Sequence, residues 1–168
     1  MIYAFDTYYF EDKARTACVA FKDWTDESPA EVYIRFREDV EEYESGNFFR
    51  RELPCILDVL EEIELREDDV IIVDGYVTLN DDGKQGLGGY LYDALGGRIP
   101  VIGVAKTLFN QPNSGRTALV RGDSKKPLYI TAKGMDLQQA YHNIRRMHGG
   151  YRIPTLLKRM DQLSRSGE

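Results

Sequence analysis

Cysteine and histidine are both scarce, with two copies of each in 168 residues. Cys18 and Cys55 stand in apolar surroundings and neither belongs to a CxxC pair. A disulfide framework and a cysteine zinc site are therefore excluded, and buried thiols are expected. Also missing is any apolar run near the roughly 18 to 20 residues that cross a bilayer. Internal repeats and low-complexity segments are absent as well. The opening "MIYAFDTYYF" holds an acid inside its apolar stretch and has no basic leader, so the reading is a cytoplasmic protein with no signal peptide and no membrane association. No serine sits on a nucleophile elbow. "DDGKQGLGG" fits neither the Walker spacing nor the dinucleotide glycine fingerprint. His142 and His148, on and just after an Arg-rich helix, are read as solvated or helix-capping.

Positive charge is scarce in only one part of the chain. Residues 1–104 hold 10 Lys/Arg against 24 Asp/Glu, whereas residues 105–168 hold 12 against 4. An acidic part suits divalent cations and a basic part suits a polyanion.

The 42% hydrophobic content suits one globular domain spanning residues 1–168. "IYAFD" alternates in the manner of a strand, with Ile2, Ala4 and Asp6 on one face. "TACVAF" and "EVYIRF" follow across the turn-rich "KDWTDESP". The period then changes: Leu53, Ile56, Leu57 and Leu60 form a helical stripe beginning near residue 51, with Pro54 in its first turn. "VIIV" (70–73) and "PVIGVAK" (100–106) are continuous apolar runs, as interior parallel strands require. A helix is expected around 86–95, and "TALVRG" and "PLYITA" read as further strands. Asp136 is placed as the N-cap of another helix, and a final helix covers about 154–164. The expected class is α/β: an antiparallel meander followed by parallel strands in one mixed sheet, with helices on both faces, in ribonuclease H-like order.

In such sheets chemistry gathers beyond the carboxyl ends of the parallel strands. Asp74 stands there, closing "VIIV", and Gly75 lets the chain turn away at once. Asp6 also follows an apolar strand, and adjacent strands would bring it beside Asp74. Two carboxylates within about 4 Å repel unless a cation lies between them. Mg²⁺, with Mn²⁺ as a substitute, is the natural occupant. A third carboxylate from the helix near residue 51 would complete the set.

The stretches "YESGNFFRRELP" (43–54), "VIIVDGYVTLNDDGKQGLGGYL" (70–91), "VIGVAKTLF" (101–109) and "GYRIPTLLKRMDQL" (150–163) together resemble the endonuclease V family. The match in order and spacing runs through most of the chain and is sparse over residues 7–40. The resemblance implies a ribonuclease H-like fold and Mg²⁺-dependent nicking of nucleic acid, DNA or RNA, on the 3′ side of a deaminated purine, chiefly inosine. It implies Asp6, Glu52 and Asp74 as metal-binding and catalytic acids. Lys106 would offset charge on the scissile phosphate, and Tyr43, Gly46 and Lys133 would contact nucleic acid. Glu38, ending "RFRE", rivals Glu52, but the Tyr43, Gly46 and Leu53-Pro54 context favours Glu52.

The chain also departs from the family pattern. Tyr76 stands where a histidine is usual, and Asn80 and Asp81 replace a later histidine and proline. Lys133 is the nearest residue to an expected glycine-histidine pair. The apolar wedge that parts the strands reads "EYES", Glu42 to Ser45, whose acids phosphates would repel. The expectation is thus a metal-dependent endonuclease with altered substrate choice. The alternatives are a catalytically inactive nucleic-acid-binding or scaffold homologue, and a hydrolase of smaller phosphodiesters.

Overall fold

The computed structural model describes residues 1–38, 40 and 49–167, with Phe49 and Arg50 as backbone only. Strands β1 (Ile2–Phe10), β2 (Lys13–Phe21) and β3 (Glu31–Arg37) form the antiparallel meander. Helix α1 (Phe49–Leu60) carries the chain to β4 (Val70–Asp74), which lies parallel to β1. Helix α2 (Leu87–Ala94) leads to β5 (Val101–Ala105), parallel to β4. Next come β6 (Thr117–Leu119), β7 (Leu128–Lys133), α3 (Leu137–Arg145) and α4 (Thr155–Ser166). The sheet order is β3-β2-β1-β4-β5-β7-β6.

The expected ribonuclease H-like mixed sheet is observed through β5. Beyond it, β7 pairs antiparallel with β5 and β6 antiparallel with β7, so the parallel block β1-β4-β5 is flanked by antiparallel strands on both sides. Helix α1 starts at Phe49, earlier than expected, and Pro54 lies inside it rather than in its first turn. The missing N–H removes one intrahelical bond, which tertiary burial of Ile56, Val59 and Leu60 offsets. Asp136 caps α3 as expected, its side chain accepting from the Gln139 N–H.

Strand alternation divides the core in two. Ile2, Ala4, Ile72, Ile102 and Val104 point to the face covered by α3 and α4, against Ala140, Ile144, Leu156, Leu157, Met160 and Leu163. Tyr3, Phe5, Ile71, Val73 and Val101 point to the face covered by α1 and α2, against Ile56, Val59, Leu87 and Leu91. Each fully buried Leu or Ile is worth about 1.5–3 kcal/mol, so the apolar stripe of α4 is enough to seat that helix firmly. Cys18 and Cys55 are free and buried. No helix among the described residues is long and apolar enough to cross a membrane.

Candidate active site

Strand register builds the centre of the site. Phe5 pairs with Val73 across the parallel β1–β4 ladder, so Asp6 and Asp74 are the next residues along each strand. Both share the parity of Ala4 and Ile72 and therefore face α3 and α4. Asp74 pairs with Val104, and Lys106, two residues on, reaches back along the same face. Its Nζ lies 3.4 Å from Asp74 Oδ2. Gly75 makes this ending possible: its φ of 141° is strained for any side chain, and its N–H returns to Val104 O at 3.0 Å. The approach is so close that a Cβ on Gly103 would sit 2.6 Å from Gly75 O.

The helices on the two faces each bring one acid over the strand ends. Glu52 comes from the first turn of α1 and is 7% exposed, as is Asp6. Glu38 is exposed just beyond β3, whereas Glu52 is buried beside Asp6 and Asp74. From the other face, α4 contributes Asp161, whose Oδ1 is 4.0 Å from Lys106 Nζ and 3.3 Å from Arg165 Nε. Ser164, one turn on, donates from Oγ to Asp6 Oδ2 at 3.1 Å. Arg15 holds this end of α4 by donating to the carbonyls of Ser164 and Arg165.

Electrostatics follow from this crowding. Burial, then the nearby Asp74 charge, push the Asp6 carboxyl up to about 8, against the opposing pull of Lys106. Burial raises Glu52 well above the usual carboxylate range, and Asp6 and Asp74 raise it further. Burial acts on Asp161 in the same direction, but the Lys106 charge and hydrogen bonds with Arg165 and Asp6 outweigh it and hold this carboxyl below its ordinary value. Lys106 thus lies among Asp6, Asp74 and Asp161, and Glu52 joins the cluster beside Asp6 and Asp74.

Among the described residues, no three His, Cys, Asp or Glu side chains form a ready-made cage for a metal ion. The donor set nevertheless fits Mg²⁺. That ion prefers hard oxygen ligands, retains most of its water, and is commonly held by one or two carboxylates. Asp6 and Asp74, adjacent in register, could hold it, with Glu52 and Asp161 beside them.

The residues that replace the family's histidines and proline have structural work here. Tyr76 is buried; its hydroxyl donates to Thr107 O at 2.6 Å and accepts from the Phe109 N–H at 3.0 Å, bracing the segment after Lys106. Asn80 Oδ1 accepts from the N–H groups of Asp82 and Lys84. Asp81 accepts from both the N–H and the hydroxyl of Ser114, and these bonds hold its carboxyl below its ordinary value. Lys133 is not gathered with the acids. It pairs with Val101 where β5 begins, whereas Asp74 and Lys106 stand where β4 and β5 end. Its Nζ contacts Gln85 Oε1 at 3.1 Å and Asp93 Oδ1 at 3.7 Å. Tyr43, Gly46 and the Glu42–Ser45 wedge lie outside the described residues. Asp161 was not expected from sequence. It lies within the family-like stretch 150–163, on a helix that packs against β1 and β2.

A mixed α/β sheet with carboxylates clustered past its parallel strand ends defines the class as ribonuclease H-like. A family model, Endonuclease V, matches residues 1–162, and the chain belongs to that family. Solved structures agree on the fold. *Ciona intestinalis* endonuclease V, in complex with a 24mer DNA containing an inosine followed by a ribo-adenosine, superposes with a TM-score of 0.81 at 16% identity, covering 99% of this chain and 84% of that one. Human ENDOV gives 0.71 at 24% identity, over 99% and 83%. The *Bacillus subtilis* endonuclease V gives 0.72 at 18%, over 98% and 78%. A comparison with curated proteins gave no match.

Proposed function

We propose that this chain is a metal-dependent endonuclease that hydrolyses a phosphodiester bond in nucleic acid, acting as one domain in the cytoplasm. The observation that carries the reading is the adjacency of Asp6 and Asp74 in the parallel ladder, with Glu52 arriving beside them from one face and Asp161 and Lys106 meeting on the other. Such an excess of buried negative charge is costly unless a cation offsets it. Asp6 and Asp74 would hold Mg²⁺, or Mn²⁺ in its place, and Glu52 would complete the set or orient the attacking water. When bound, the ion supplies Lewis acidity toward the phosphate and toward water. Lys106, with Nζ aligned by Asp74 and Asp161, would offset charge developing on the scissile phosphate.

The *Ciona* relative was crystallised on inosine-containing DNA, and nucleic acid next to a deaminated purine is the substrate class proposed for this chain. Choice of base is altered, because Tyr76 and Asn80 brace loops instead of offering imidazoles, and Asp81 adds an acid beside them. That same observation supports the second reading, a catalytically inactive homologue that binds nucleic acid or serves as a scaffold. Incubation with inosine-containing DNA and RNA oligonucleotides under Mg²⁺ and Mn²⁺ separates the two. Nicking by the wild type that Asp74→Ala abolishes is the expected result; equal nicking by both proteins refutes the site, and no nicking favours the second reading.

A further inference from the structure

Beside the site, the segment before α4 and the first turns of that helix border a groove of about 870 Å³, whose lining includes Tyr151, Arg152, Lys158, Arg159, Gln162 and, as its single acid, Asp123. Three features distinguish it from ordinary surface. Its charge runs against the acidic chain as a whole, with three cationic residues to one acid, and Lys125 and Lys126 follow in the adjoining turn. It adjoins the catalytic lysine, since Arg152 Nη2 donates to Lys106 O at 2.6 Å and to Pro127 O at 2.9 Å. And the Tyr151 ring is 81% exposed on a segment that is otherwise pinned.

The pinning comes from Arg121. Its buried guanidinium donates to the carbonyls of Arg145, Met147, Gly149, Tyr151 and Arg152. Thr155 N–H to His148 O, at 2.8 Å, ties the same segment to the start of α4. Gly122, at φ 62°, packs so closely that a Cβ would meet Gly150 O at 2.5 Å. Five bonds thus order the backbone around Tyr151 while its ring is left in water. With the backbone beneath it already ordered, an exposed ring loses side-chain freedom alone when something stacks on it.

We propose that Tyr151 is a stacking platform for an unpaired base of the substrate strand, with Lys158 and Arg159 meeting the phosphates that flank the cleaved bond. The partner is single-stranded nucleic acid: its charge is opposite to the groove's, and only an unpaired base offers a face to the ring. Helix α4 links the two functions, carrying Lys158 and Gln162 into the groove and Asp161 into the site. The inference rests on the nucleic-acid part of the proposed function and not on its chemistry.

The test is fluorescence anisotropy with a fluorescein-labelled single-stranded 12-mer, as DNA and as RNA, in EDTA so that cleavage plays no part. Tyr151→Ala is expected to weaken binding roughly 10-fold or more, and Tyr151→Phe, which keeps the ring, to stay within about 2-fold of wild type. Lys158→Gln is expected to lower the salt slope by about one unit. Wild-type binding by Tyr151→Ala, no binding by the wild type, or a preference for the duplex 12-mer would each overturn the proposal. If Tyr151→Ala instead abolished self-association and left oligonucleotide binding intact, the ring would serve a second copy of the chain, which also overturns it. Tyr151-dependent binding without cleavage defeats the nuclease chemistry alone; cleavage with binding indifferent to Tyr151 defeats this inference alone.

Discussion

Two buried aspartates at opposite ends of the parallel strands make an instructive pair. Asp69 precedes β4 and is 3% exposed; Asp6 lies where β4 ends and is 7% exposed. Burial is the same, but the partners differ. Asp69 Oδ1 takes the N-terminal ammonium at 2.9 Å and Oδ2 takes the Arg66 N–H at 2.8 Å, so its charge is matched. Asp6 takes the Thr7 N–H and the Ser164 hydroxyl, and it also faces Asp74, Asp161 and Glu52. One end of the sheet has a carboxylate whose charge is compensated within the chain. The other end concentrates acids beyond what Lys106 can balance. Burial of a carboxylate alone therefore does not mark a site; burial among like charges does.

Substitutions at the two ends should separate function from stability. The largest effect is expected at the crowded end: Asp74→Ala should lower oligonucleotide cleavage about 10³-fold or more with little loss of folding. Lys106→Ala should cost roughly 100-fold in single-turnover rate, as removal of a charge stabiliser does. Asp69→Ala should do the reverse, leaving cleavage near wild type while lowering stability by about 2 kcal/mol. In thermal melts that is a Tm about 5 °C lower for a chain of this size.

A subtler contrast lies in pH. Between its ordinary value and about 8, Asp6 keeps a proton in the folded protein that the unfolded chain releases. Rising pH therefore favours unfolding across that window, and the direction of the Glu52 shift adds to the trend. Metal-free Tm is expected to fall between pH 5 and 8, and Asp6→Asn to flatten that fall and raise Tm at pH 8. A metal-free Tm that climbs with pH, or an Asp6→Asn profile parallel to wild type, would break the comparison. The smallest effect belongs to Lys133→Ala: its contacts are half exposed and distant from the acids, so cleavage and oligonucleotide binding should change by less than about 0.5 kcal/mol.

Much of this was legible in the sequence, for identifiable reasons. The apolar runs 70–73 and 101–104 stand out because strands covered on both faces have no polar side. Asp6 and Asp74 could be set side by side because strand register converts sequence position into proximity. Glu52 and Lys106 came from the resemblance to the endonuclease V family. Asp161 was not legible, since its place depends on how α4 lies over β1 and β2, a long-range packing outcome that one amphipathic helix does not encode. Lys133, expected to contact nucleic acid, stands apart from the acids because the antiparallel entry of β7 carries it to the far end of β5. Tyr76 and Asp81 read as lost chemistry and proved to be bracing, because their partners at Thr107, Phe109 and Ser114 lie some 30 residues away; Asn80 braces its own loop through Asp82 and Lys84.

Calorimetric titration with Mn²⁺ of the wild type, Asp69→Asn and Asp6→Asn asks most directly whether the crowded end is built for a cation. The account predicts saturable uptake by the wild type and by Asp69→Asn, and none by Asp6→Asn. Absence of uptake by the wild type, or equal uptake by all three proteins, would contradict it.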